Sequence, residues 1–186
     1  YIADTENHRV RRLRLDGAPP TIETVPGHGD GGRLVAGASP NETAMGRPLA
    51  VAIRGDSLYV AQDTSWAVAR VPLTPGGTVE IIAAERGEYG AGVTEVLPIE
   101  GEPQSLFADP FGALFIASSE DRIYRWEGGE MDVVIGEAGQ DQYNADGGSL
   151  PGIFIDVTPG LSMVMDSQGV LYITDEGQGV LRSLTF

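Results

Sequence analysis

The 186-residue chain contains no cysteine. That excludes a disulfide scaffold, a thiolate-bound zinc site and a thiol nucleophile. Histidine is nearly as scarce, with only His8 and His28. Positive charge is also short: 12 Lys and Arg stand against 27 Asp and Glu, a formal net charge of −15. Nucleic-acid binding draws most of its affinity from cations that neutralise phosphates, so this balance argues against RNA or DNA as a partner. It favours solubility, disfavours acidic partners and leaves basic peptides or cations open. No window holds an uninterrupted apolar run long enough to span a bilayer as a helix, so membrane insertion is not expected. The first residue is a tyrosine inside an apolar run, not a methionine, which leads to the expectation of a piece of a longer protein.

What the sequence does have is glycine (26), proline (12) and 41% apolar residues. That mixture suits many short strands joined by tight turns and suits long helices poorly. One pattern recurs four times. It reads Tyr1-Ile2-Ala3-Asp4, then Tyr59-Val60-Ala61-Gln62, Phe115-Ile116-Ala117-Ser118 and Tyr172-Ile173-Thr174-Asp175. The spacing stays near 57 residues, the mark of one supersecondary unit copied in tandem. The predicted repeats cover residues 1–45, 46–102, 103–158 and 159–186, within a single partial domain spanning 1–186.

Each unit carries three or four strand signals. A first extended run precedes the aromatic motif: Pro48 to Ile53, Pro103 to Ala108 and Gly160 to Met165. Its apolar, small-residue character predicts that it lies nearest the axis. An Asp-x-x-Gly turn follows at Asp109-Pro110-Phe111-Gly112 and at Asp166-Ser167-Gln168-Gly169. Asp accepts a backbone N–H there, and Gly takes the positive φ that closes the turn. The aromatic motif is the second strand. A third begins at Arg9, Val68, Arg122 and Val180, and Gly-containing hairpin signals lead to an outer, alternating fourth strand at Ile22, Val79 and Met131. Four antiparallel strands repeated radially describe a propeller blade.

The segment Tyr1-Ile2-Ala3-Asp4-Thr5-Glu6-Asn7-His8-Arg9-Val10-Arg11-Arg12-Leu13 resembles the signature of NHL repeats, and Gly29-Asp30-Gly31-Gly32, echoed at Ala145-Asp146-Gly147-Gly148, resembles the Gly-Asp-Gly-Gly loop of long bacterial NHL repeats. The resemblance implies an all-β propeller of NHL type. This chain would supply about four blades, two complete and two incomplete, of a six-bladed ring. It also implies a bacterial protein that is exported or displayed at the cell surface.

Strand alternation puts the inter-blade loops and the turn between strands two and three on one rim. The long loops run from His28 to Met45, Glu85 to Glu102 and Glu137 to Thr158, and loops of that length are often functional. The candidate ligand-binding residues on this rim are His28, Asp30, Trp66, Glu88, Tyr89, Asp141, Tyr143 and Asp146. Aromatic faces and carboxylates of this kind can grip a protein, a peptide or a glycan. No catalytic residue is assigned. The run Gln142-Tyr143-Asn144-Ala145-Asp146-Gly147 offers alternating oxygen ligands before a glycine, so calcium is the one cofactor considered, though the twelfth position, Gly152, is not the glutamate of a calcium loop. His8 is expected to brace its turn through a hydrogen bond. Among Arg9, Arg11, Arg12 and Arg14, alternation places the first two on one strand face and the last two on the other, each paired with acidic neighbours.

The expected function is a non-catalytic binding scaffold whose open ends are covered by missing blades of the parent chain or by another chain. The alternative is a fragment of a metal-dependent propeller enzyme, lactonase- or lyase-like, whose catalytic residues lie mostly outside this chain. Such enzymes are among the six-bladed relatives that the resemblance brings with it.

Overall fold

A computed structural model of the chain describes residues 1–85, 96–136, 155–158 and 160–186. The chain is all-β, and among the described residues the one helical segment is a single 3-10 turn at Thr5–Asn7. Contacts divide it into two compact units, Tyr1–Ile99 and Glu100–Phe186.

The first unit holds two sheets. Strands β1 (Ile2–Asp4), β2 (Arg9–Arg14) and β3 (Thr21–Thr24) form the first, in sequential antiparallel order. The second sheet contains β4 (Pro48–Arg54), β5 (Ser57–Gln62), β6 (Ala67–Pro72) and β7 (Glu80–Glu85), again as a meander, with β8 (Leu97–Ile99) added in parallel beside β7. The four-stranded antiparallel unit expected here thus carries a fifth strand, taken from what reads as a loop. Pro98 sits in the middle of β8 and gives no strand signal, because proline lacks the N–H that a ladder uses. Val10 of the first sheet packs with Leu58, Val60, Ala69 and Val71 of the second, so the two sheets meet face to face.

The second unit repeats this arrangement. Strands β9 (Pro103–Ala108), β10 (Leu114–Ser118), β11 (Arg122–Glu127) and β12 (Glu130–Ile135) form a four-stranded antiparallel meander, and β13 (Met163–Met165), β14 (Val170–Asp175) and β15 (Val180–Thr185) form a three-stranded one. Phe115, Ala117 and Ile123 of the third sheet pack with Met163, Leu171 and Ile173 of the fourth. The Phe115 ring also meets those of Phe107 and Phe186, with centroids 6.2 and 5.5 Å apart. Strand β13 is shorter than expected, since Gly160 adopts a φ of 114° and the strand starts only at Met163.

In the two longer sheets the second strand of the repeat is the most enclosed: every residue of β5 and of β10 is buried, whereas β4 and β9 are mostly half-exposed. A strand with a neighbour on each side and a sheet stacked on its face loses more solvent contact than an edge strand, whatever its composition.

The long loop of residues 28–45 is specially packed. Leu34 and Met45 are buried in the first unit's core, Gly31 bridges to Met45, and Gly37 and Ala38 exchange backbone hydrogen bonds with Val79. The loop therefore seals the edge between the first two sheets and is not confined to a rim.

Candidate functional site

The turn between the second and third strands has the same backbone trick in all four repeats. His8, Trp66, Asp121 and Gly179 each precede the third strand with φ of 54°, 42°, 56° and 65°. This left-handed geometry suits glycine and costs other residues about 1–2 kcal/mol. Three of the four repeats nonetheless hold a side chain there, so the turn aims a side chain at a fixed place on each sheet.

Those turns are clasped to the chain just before the first strand. Arg47 donates its N–H to Asp63 Oδ1 at 2.9 Å, and Asp63 returns its own N–H to the Arg47 carbonyl at 3.1 Å. In the next repeat Glu102 N–H donates to Ser119 Oγ at 2.9 Å, and Ser119 N–H donates to the Glu102 carbonyl at 2.9 Å. The fourth repeat substitutes a side-chain bond, Thr158 Oγ1 to Glu176 Oε2 at 3.1 Å. Asp121 acts similarly, accepting the Val157 N–H at 2.9 Å. Within each unit, then, the turns and the residues flanking the first strand lie together, as alternation predicted.

In the first unit this region gathers charge. Arg47 Nη2 lies 2.6 Å from Glu6 Oε1, and Arg47 Nη1 lies 3.5 Å from Asp63 Oδ2. Thr5 Oγ1 donates to the Pro48 carbonyl at 2.8 Å, tying the first turn to β4. His28 Nδ1 stands 3.2 Å from Asp30 Oδ2, with both residues exposed. Trp66 is 37% exposed on the turn of the second sheet. The other five expected residues, Glu88, Tyr89, Asp141, Tyr143 and Asp146, and the whole run of residues 142–147, lie outside the described residues.

His8 departs from expectation. Its ring packs where a side chain on Gly31 would sit, and its Nδ1 is buried with no hydrogen-bond partner among the described residues. The ring braces the turn by contact, and the turn's hydrogen bond comes from the backbone, His8 N–H to the Thr5 carbonyl at 3.3 Å. The arginines follow the alternation. Arg11 Nε donates to Asp4 Oδ2 at 3.0 Å and Arg11 Nη1 to Thr24 Oγ1 at 2.8 Å, while Arg12 and Arg14 both pair with Glu23 on the other face. Hydrogen bonds from Asn7 and then Arg11 hold the Asp4 carboxyl below its usual range, and Arg12 followed by Arg14 does the same for Glu23.

Sequence reasoning missed Arg47 and its partners Glu6 and Asp63, because 41 residues separate Glu6 from Arg47 and no local pattern joins them. It also missed a cleft of about 380 Å³ in the first unit, walled by Arg12 and Glu23, by Pro40 and Asn41, and by Pro72 with the β6–β7 turn. Among the described residues, no group of three or more His, Asp or Glu side chains is arranged to hold a metal ion.

The class defined so far is an all-β repeat protein built of sequential meander sheets, with a recurring turn that presents side chains. No protein-family model matches the chain, and no curated protein matches it. Among solved structures it is similar to YCF48 bound to D1 peptide, with a TM-score of 0.42 and 13% identity over 88% of this chain and 43% of that one. It is also similar to the computationally designed Ika8 protein, with a TM-score of 0.36 and 12% identity over 76% of this chain and 37% of that one. The chain thus spans less than half the length of these structures.

Proposed function

We propose that the chain is a non-catalytic binding scaffold, part of an NHL-type β-propeller in which each meander sheet is a blade. In this reading it recognises a protein, a peptide or a glycan through the rim that carries the strand two–three turns. The repeats 1–45, 46–102, 103–158 and 159–186 are its four blade segments. Further blades of a longer chain, or another chain, complete the ring. The setting that fits the resemblance is a bacterial protein exported or displayed at the surface.

Trp66 carries this reading. A bulky residue at φ 42° is an outlier, and here it is also exposed. Strain kept at a solvent-facing aromatic, where the fourth repeat uses Gly179, points from the outlier to a contact made with something else. The indole offers a flat apolar face for a side chain or a sugar ring, with an N–H at its edge. Arg47, Glu6 and Asp63 give the same unit's turns a polar surround that can orient a partner's charged groups. Asp30 and His28 add a second polar pair, and Glu88, Tyr89, Asp141, Tyr143 and Asp146, which lie outside the described residues, are the remaining candidate ligand-binding residues of this reading.

The test replaces Trp66 with glycine and presents both proteins to immobilised peptide and glycan arrays. The expected result is loss of the wild-type binding signal with an unchanged or higher unfolding midpoint. A variant that unfolds earlier, or that binds as the wild type does, makes Trp66 a packing residue and removes this reading's support.

A further inference from the structure

The outer strands of the first two sheets are equivalent. Arg12 lies opposite Glu23 across β2 and β3, and Arg70 lies opposite Glu80 across β6 and β7; both couples are ion pairs. Both outer strands then bulge at the same position. Val25 and Pro26 share Val10, and Val68 faces Ala83 while Ala69 faces Ile81, which leaves Ile82 as an extra residue. Beyond the bulge the two edges part company. Strand β8 runs parallel to β7 and brings Pro98 opposite Ala84. In the first sheet Pro40 of the long loop takes the comparable place, its carbonyl accepting the Gly27 N–H at 3.1 Å, and the loop adds no strand.

From Pro40 back toward Thr21 the edge of β3 is open: among the described residues β2 is its one strand neighbour. This edge belongs to an interior stretch of the chain, and it lies wholly within the first unit. Bonded and non-bonded pairs alternate along an antiparallel ladder. Val10 exchanges hydrogen bonds with Val25 and Pro26, so Arg12 and Glu23 form the next bonded pair, and the N–H and C=O groups of Ile22 and Thr24 point away from β2. Glu23 and Thr24 line the cleft of about 380 Å³. Thr24 turns its hydroxyl to the opposite face, where it accepts a hydrogen bond from Arg11, so it meets the cleft with its main chain. Pro72 and Pro75 stand across the cleft, with Ser39 and Asn41 at one side. No aromatic ring lines it among the described residues, so it lacks the flat surface on which sugars and polyproline segments stack. What it offers is the unpaired main chain of an edge strand, which another main chain can pair.

We propose that this cleft takes a short extended peptide of a partner protein, which adds to the outer edge of β3 through main-chain hydrogen bonds to Ile22 and Thr24. The precedent is internal: β8, three residues long with a proline at its centre, adds to the equivalent strand β7. Charge sets the character of the peptide. Arg12 and Glu23 neutralise each other at the cleft, whereas the chain as a whole carries −15, so an uncharged centre with basic ends is favoured and an acidic peptide is repelled. The site shares no residue with the rim around Trp66, so this inference and the proposed rim contact can fail separately.

Fluorescence anisotropy with labelled peptides tests this. The probes carry lysines at both ends and a varied, uncharged central triplet, Leu-Pro-Ile among them. Saturable binding by at least one probe is expected. It should weaken about tenfold or more when the central amides are N-methylated, and likewise when the lysines become glutamates. Two variants close the site by different means. Thr24→Pro removes an outward N–H at an edge, where proline is tolerated, and Asn41→Trp fills the cleft from an exposed position. Each should weaken binding about tenfold with an unchanged circular dichroism spectrum; if Thr24→Pro unfolds, Asn41→Trp decides alone. No binding by any probe at about 1 mM overturns the proposal. Binding that tolerates N-methylation overturns it too, since side chains would then carry the contact, and so does binding that survives Asn41→Trp, which places the peptide elsewhere. A glycan that binds the wild type and not Asn41→Trp, or a doubled mass in sedimentation that Asn41→Trp abolishes, would give the cleft to a sugar or to a second copy of this chain and also overturns it.

Discussion

Asp109 and Asp166 stand 57 residues apart and perform the same task, each folding one carboxylate oxygen back over its own turn. Asp109 Oδ1 accepts the N–H groups of Phe111, Gly112 and Ala113 at 3.0, 2.6 and 2.7 Å. Asp166 Oδ1 accepts those of Gln168 and Val170 at 2.9 and 3.0 Å. Each turn positions the fully or half-buried second strand that follows, so the carboxylates link local turn chemistry to the core. Replacing Asp109 with alanine leaves three turn donors without their acceptor, and destabilisation of about 1–3 kcal/mol is expected in urea unfolding. Asp166→Ala should cost less, since its turn is more exposed and water can replace the lost acceptor. Equal midpoints for Asp109→Ala and wild type would show that water replaces the carboxylate freely.

Acid should weaken the fold through a small set of carboxyls. Backbone N–H groups, led by that of Val170, hold the Asp166 carboxyl below its usual range, as do Asn7 with Arg11 for Asp4 and Arg12 with Arg14 for Glu23. A carboxyl whose folded pKa lies below its unfolded value stabilises the fold fully above the unfolded value. That contribution is lost as pH falls through the folded one. Unfolding midpoints are therefore expected to be level from neutral pH down to about 5 and to fall below about 4, near the ordinary carboxyl pKa values. A combined Asp4→Asn, Glu23→Gln and Asp166→Asn variant should be less stable at neutral pH and show a flatter acid limb. A limb as steep as the wild type's would assign the acid loss to other groups.

Two arginines in equivalent ion pairs should differ sharply in cost. Arg182→Met strands the buried Asp175 carboxylate, and breaking a buried pair in this way costs about 3–5 kcal/mol. Arg11→Met breaks a partly exposed pair and should cost roughly 1 kcal/mol or less, as surface pairs do. Chemical denaturation of both variants checks the contrast.

Glycine substitutions can separate backbone strain from crowding. Gly101 has φ +77°, and a side chain there would come within 2.9 Å of the Glu120 backbone and 2.8 Å of Ser119 Oγ. Gly76 has nearly the same φ of +80° with open space around it. Gly76→Ala should cost about 1 kcal/mol for the left-handed conformation alone. Gly101→Ala should cost clearly more, since it also pushes the third sheet's turn away from the chain it is clasped to. Equal losses would mean that the turn shifts without penalty.

The sequence alone made most of the strands and the turns between them legible. Each second strand lies over the motif that marks it, at β1, β5, β10 and β14, because alternating apolar residues bounded by Asp and Gly turns specify a short strand without help from distant residues. The turn position held by His8, Trp66, Asp121 and Gly179 was legible as an aligned site even after its residues diverged, since spacing survives where side chains change. Tertiary structure alone decided which strand is most enclosed, that β8 joins in parallel across a stretch that reads as a loop, and that the 28–45 loop sends Leu34 and Met45 into the core. It also decided that Glu6, Arg47 and Asp63 meet, and that two chemically matched ion pairs differ in burial. The physical reason is range: turn and strand preferences act over a few residues, whereas burial and charge pairing depend on what another part of the chain lays over the surface.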